Sequence, residues 1–199
     1  MIGYIVDGST GDALAGATIV EMGSEPLNAA TQAEGGFLVR PQRWPTQLFS
    51  WEKGALHSAL VLTKESYRRA GAVRLSRWTE PAGLAWHTQT FGSEWAEGVG
   101  VVIVELDAPD PAALEGVAAS IGASSLQTWV IDSGGSAQPG HTLTKSPAKP
   151  WVLWTGVAPG PTTVSVSPHP GLTCTGATSA EILARSVTRV RYVCKTVGS

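Results

Sequence analysis

Short runs in which apolar and polar residues alternate recur along the whole chain, separated by Gly, Pro, Asp and Ser. Alternation at a period of two turns one face of a strand inward and the other outward. Short runs punctuated in this way mark an all-β sandwich or barrel. Residues 4–6, 16–22, 36–40, 47–51, 59–63 and 71–75 read as strands in the first part of the chain. Residues 99–106, 116–121, 128–131, 151–155, 162–167, 180–183 and 186–194 read the same way in the second. The pattern divides the chain into a first β-sandwich over residues 1–78, a connector over 79–97 and a second sandwich over 98–199. The connector carries Pro81, Gly83 and Gly92 but also Trp86 and Trp95, so it is expected to pack on something rather than swing free. Asp110-Pro111 has the form of a helix start, with Leu114, Val117, Ala118 and Ile121 at helical spacing behind it. Gly116 in the middle and the Gly/Ser-rich continuation favour a strand over 116–121.

A short internal repeat supports the two-part division. Ala13-Leu14-Ala15-Gly16 and Ala113-Leu114-Glu115-Gly116 each precede an alternating run, at an offset near the length of one small sandwich.

Composition then excludes several classes. Charged residues make up 15% of the 199, well below ordinary usage, while 43% are hydrophobic, which is the opposite of a disordered polyelectrolyte. The net charge of −2, with no run of like charges, leaves no electrostatic footprint for nucleic acid. The longest mostly apolar stretch, 99–106, is interrupted by Gly100 and Glu105 and is far too short to span a bilayer. The first strand follows Met1 at once, so the expectation is a chain without a signal sequence, either cytoplasmic or a mature or trimmed form. Cysteine usage bears on that choice. Cys174 and Cys194 have no C-x-x-C partner and no His at metal spacing, so they read as a disulfide. A disulfide belongs to an oxidising compartment, hence an extracellular, cell-surface or periplasmic location.

At Gly3-Tyr4-Ile5-Val6-Asp7, Thr10-Gly11, Leu14-Ala15-Gly16-Ala17-Thr18-Ile19-Val20, Ala30-Thr31 and Glu34-Gly35-Gly36-Phe37, the chain resembles the carboxypeptidase regulatory-like modules. These are prealbumin-like (immunoglobulin-like) β-sandwiches related to the Cna B-type domains of bacterial surface proteins. The second half looks like another module of the kind, through Val157-Ala158-Pro159-Gly160 and the alternating Thr163-Val164-Ser165-Val166-Ser167. The resemblance implies two tandem all-β sandwiches that serve as non-catalytic spacers or adhesion surfaces. Cna B-type domains sometimes carry a Lys–Asn crosslink; Asn28 is the only Asn, in a loop after Pro26, and does not fit one.

No arrangement in the sequence points to catalysis. His57, His87, His141 and His169 are isolated, G-x-S-x-G is absent, and Ser133-Gly134-Gly135-Ser136 lacks the Lys of a phosphate loop. The iron-binding Tyr/His spacing of intradiol dioxygenases and the C-terminal tail of hydroxyisourate hydrolases are both missing. Asp7-Gly8-Ser9-Thr10-Gly11-Asp12 alternates oxygen donors but lacks the bidentate Glu of a calcium loop, and the same residues suit a hairpin. Neither cofactor nor metal is therefore expected. Eight Trp are the one enrichment with functional potential. Alternation in 151–155 puts Trp151 and Leu153 on one face and Val152 and Trp154 on the other, and the resemblance implies that Val152 and Trp154 point inward, so Trp151, with Trp44 and Trp86, is a candidate contact for a protein partner or a sugar ring. The reading is a non-catalytic structural or interaction module of a bacterial surface protein, with protein partners or self-association. The alternatives are a polysaccharide-binding module using exposed Trp, or an accessory domain of a larger enzyme.

Overall fold

The computed structural model describes residues 1–22, 29–51, 55–143 and 149–197. The chain is mostly β and forms a sandwich. The first part contributes β1 (Ile2–Asp7), β2 (Thr18–Glu21), β3 (Ala29–Ala30), β4 (Gly36–Leu38), β5 (Thr46–Trp51), β6 (Ala55–Leu62), α1 (Lys64–Ala70), β7 (Val73–Thr79) and α2 (Glu80–Phe91). The second part contributes β8 (Gly100–Asp107), a 3₁₀ turn (Pro111–Leu114), β9 (Ala118–Ile121), β10 (Gln127–Ile131) and β11 (Ala137–Pro139). It ends with β12 (Trp151–Val157), β13 (Gly160–Ser167), β14 (Leu172–Gly176), β15 (Ser179–Ile182) and β16 (Ser186–Thr196).

A long central sheet runs in the order β11-β10-β12-β8-β16-β6-β5-β2-β3. At its middle β16 lies parallel to β6 on one side and to β8 on the other, from Ser186↔His57 and Val187↔Val101 onward. The far end of β16 pairs antiparallel with β14, with Cys174 opposite Cys194. Their sulfurs form a disulfide.

Strand alternation assigns the two faces of this sheet. Val102, Val104, Val152, Trp154 and Val190 point to one side, where they meet Leu114, Val117, Val164 and Ile182 in the core under the sheet β15-β13-β9. Their neighbours Val101, Ile103, Leu153 and Val187 point to the other side, where α2 supplies Phe91, followed by Trp95. Further along that second face, Ile19, Leu48, Leu60 and Leu62 pack against Ile5, Phe37, Val73 and Leu75 of the strands β4-β1-β7.

The repeat seen in the sequence has a structural counterpart. Gly16 and Gly116 both take positive φ (69° and 79°), which favours glycine. The Gly16 N–H donates to Thr31 O and the Thr31 N–H to Ala17 O; likewise Gly116 donates to Leu143 O and Leu143 to Val117 O. Each pair then feeds a four-residue strand, β2 or β9.

Helices account for the main departures from the sequence pattern. Residues 64–70, read as a link between strands, form α1, whose start is closed by a capping box between Thr63 and Ser66. The connector is largely α2, with Pro81 in its first turn and Gly92 in the left-handed conformation at its end. Gly83, which looks like a turn residue, sits inside α2 because a Cβ there would lie 2.1 Å from Leu56 Cδ1. The ambiguous segment resolves into both alternatives. Asp110 caps the 3₁₀ turn by accepting from the Ala112 N–H, and the strand starts only at Ala118.

Candidate functional site

The face of the central sheet that carries Val101, Ile103 and Val187 continues into charge. Two residues further along β8 the inward position is Glu105, and on β16 the same face presents Arg189 and Arg191. Register aligns Trp151 of β12, Glu105 of β8 and Arg191 of β16 in one row across three strands. Glu105 is buried and is held from both sides: Arg191 Nη2 lies 3.2 Å from Oε2 and Arg189 Nη1 3.5 Å from Oε1. Arg191 Nε also donates to Oε2, at 3.3 Å. Arg189 Nη2 donates to the carbonyl of Arg74 in β7, at 2.5 Å, which ties the outer strands to the central sheet. The two guanidinium groups supply the hydrogen bonds and opposite charge that a buried carboxylate needs.

These groups line a pocket of about 450 Å³ with Arg74 at its rim. Pro111 and Pro150 supply apolar surface at its edge, while Leu106 and Leu114 beside it are buried in the core of the opposite face. Asp107, also at the pocket, is engaged by Arg69 at 3.0 Å. Lys149 sits over the Trp151 ring, 4.5 Å from its centre. Sequence reading singled out Trp151 but missed Glu105, Arg189 and Arg191. The available signal was charge at the inward parity of two strands: Glu105 in step with Val101 and Ile103, and Arg189 and Arg191 in step with Val187.

Of the three candidate tryptophans, Trp86 and Trp151 pack against the same buried cluster and Trp44 borders a different groove. Trp151 is half-buried at this pocket. Trp44 is 37% exposed, stacks on Tyr67 at 6.2 Å and borders a second groove beside Pro161 and Glu181. Across that groove the Gln47 amide clasps β15, donating to Glu181 O and accepting from the Glu181 N–H. Trp86 is half-buried in an aromatic layer, stacked on Trp78 at 5.6 Å and edge-on to Phe91 at 5.7 Å. His87 is buried in the same layer, 5.1 Å from the Trp95 ring, and its Nδ1–H donates to Ser93 O. Burial lowers its pKa from the ordinary 6.5, against the opposing effect of that hydrogen bond.

The other groups considered for chemistry have local duties. The Asp7 carboxylate accepts from the backbone of Thr10 and Ser9, which lowers its pKa and closes the first hairpin. His169 bonds the carbonyls of Pro170 and Ala113 and its pKa is raised by them. Among the described residues, no three His, Cys, Asp or Glu come together as a metal site. Asn28 lies outside the described residues. No helix of the described residues is long and apolar enough to cross a membrane.

No family model matches the chain, and no curated protein does. Solved structures of partly similar shape include the TIE protein of Bacillus anthracis, at 11% identity and a TM-score of 0.30, covering 98% of this chain and 34% of that one. The minor pilin of the Gram-positive pathogen Streptococcus agalactiae has 10% identity and a TM-score of 0.34, covering 100% and 97%. A mutant of the major pilin of Streptococcus pyogenes has 7% identity and a TM-score of 0.33, covering 99% and 98%. The chain spans about a third of the length of the first of these.

Proposed function

We propose that the chain is a non-catalytic structural and interaction module of a bacterial surface or extracellular assembly. The observation that carries this reading is the position of β16. It is the last strand described, yet it lies at the middle of the central sheet, parallel to β6 and β8, and is stapled to β14 by the disulfide. Tension applied along such a strand shears both ladders at once, whereas an edge strand unzips one hydrogen bond at a time. The disulfide closes residues 174–194, most of β16 among them, into a loop that tension along the chain bypasses, and it fits an oxidising exterior.

In this reading residues 1–78 and 98–199 are two copies of one sandwich plan, joined by α2 and clamped together by β16. The matching glycine turns at Gly16 and Gly116 support that division. Trp44 is the proposed contact for protein partners or further copies of the chain, while Trp86 serves internal packing.

The test is single-molecule pulling of the whole chain from its two ends. The reduced chain, in which tension runs through β16, is expected to resist until β16 shears; the oxidised chain is expected to keep residues 174–194 out of the load path and to extend by about 70 Å less, the length of the 20 residues closed by the disulfide. Release of β16 at forces no greater than those that peel the edge strand β11 would overturn the reading.

A further inference from the structure

We propose that the pocket at Glu105, Trp151, Arg189 and Arg191 binds the carboxylate of an acidic sugar residue. The charge of this pocket is unbalanced, whatever load β16 bears. Glu105 is already shared by two guanidinium groups, and Asp107 is taken by Arg69. The pocket therefore keeps surplus positive charge, with Arg74 at the rim and Lys149 over Trp151, on a chain whose net charge is −2.

The ion network is also incomplete. Arg189 Nε is buried with no hydrogen-bond partner, although Nη1 and Nη2 of the same side chain are both engaged. Buried polar groups are nearly always paired, so an unmet N–H beside a pocket marks where an acceptor belongs. The side chains of Arg189 and Arg191 remain 15% and 22% exposed, so both can be reached from the pocket. A carboxylate accepts well from guanidinium groups, with more strength than a neutral oxygen.

The shape selects among carboxylates. β8, β12 and β16 are each paired on both sides, so no strand edge is open for a peptide to extend the sheet. Recognition must come from side chains alone, in a concavity of about 450 Å³, within the usual range for a small ligand. Trp151 and Pro150 offer apolar surface of the kind on which the C–H face of a pyranose packs, beside the cations that take its carboxylate. A uronic acid carries both features in one ring.

The probe is trigalacturonate, titrated into the full chain with Trp fluorescence and calorimetry as readouts, against its methyl ester and a hexaglutamate peptide. Trigalacturonate is expected to bind about tenfold more tightly than the ester, with affinity falling as salt rises. Arg191→Gln and Trp151→Leu should each weaken it about tenfold. Lys149→Ala, at an exposed position that does not threaten the fold, should weaken it about threefold. Equal binding of acid and ester, unchanged binding by Trp151→Leu and Lys149→Ala, or hexaglutamate binding as tightly as trigalacturonate would each overturn the proposal.

Discussion

The two faces of β8, β12 and β16 are built from the same three strands and covered in different ways. On one face a second sheet, β15-β13-β9, closes over Val102, Val104, Val152 and Val190. Sheet against sheet, alternating aliphatic residues interdigitate and the layer fills without large rings, apart from Trp154 and Tyr192. On the other face α2 lies over part of the sheet, and Trp78, Trp86, Phe91, Trp95 and Trp129 fill the space between helix and strands. That cover stops short, and where it stops the same face turns to Glu105, Arg189 and Arg191. A complete partner sheet thus yields a dry core, and a partial one leaves room for a charged pocket.

The contrast can be broken most sharply with two tryptophans. Trp154→Ala, in the sheet-covered core, should cost about 3–5 kcal/mol in urea unfolding. Trp86→Ala, on the half-buried outer side of the aromatic layer, should cost about 1–2 kcal/mol, because less area leaves water there. Equal losses would mean that the two faces are packed alike.

Next in size is the staple. Replacing Cys174 and Cys194 together by Ser should lower stability by about 3 kcal/mol, mainly by freeing the unfolded chain, with little change in near-ultraviolet circular dichroism from the aromatic face. A loss of that aromatic signal would show that the disulfide also orders the helix-covered side.

A smaller effect is expected at Tyr192. Its hydroxyl faces the carbonyls of Val164 and Ala177, and burial pushes its pKa up to about 12. Tyr192→Phe leaves those buried acceptors without it and should cost about 1–2 kcal/mol in the same unfolding assay.

The smallest effect separates the faces by pH. Because His87 has a lowered pKa when folded, the unfolded chain binds its proton first as pH falls below the ordinary 6.5. The contribution of His87 is therefore fully present above 6.5 and is lost between that value and the lowered folded one. Thermal midpoints should drop over this window in the native chain and drop less in His87→Gln. An identical drop in both would place the pH sensitivity elsewhere.

Much of the strand architecture was legible because alternation is a local property. Residues 99–106, 151–155 and 162–167 read as strands and lie within β8, β12 and β13 or nearly match them. The helices were not legible. α1 is short and polar, with its capping signal, Thr63 and Ser66, next to an apolar strand. α2 carries a glycine that reads as a turn until Leu56 is placed against it. Of the pocket, only Trp151 was in view, since Glu105, Arg189 and Arg191 look like ordinary charges until register brings them side by side.

Local chemistry in the chain thus decides the β class, the glycine turns at Gly16 and Gly116, and the shared face of Val152 and Trp154. Backbone sterics and a two-residue period set these over a few residues, with no need of distant contacts. The central place of β16, the helix over the connector and the meeting of Glu105 with two arginines depend on parallel pairing between segments far apart in sequence. A parallel strand leaves no short hairpin to announce its neighbour, so only the assembled sheet shows which charges share a face.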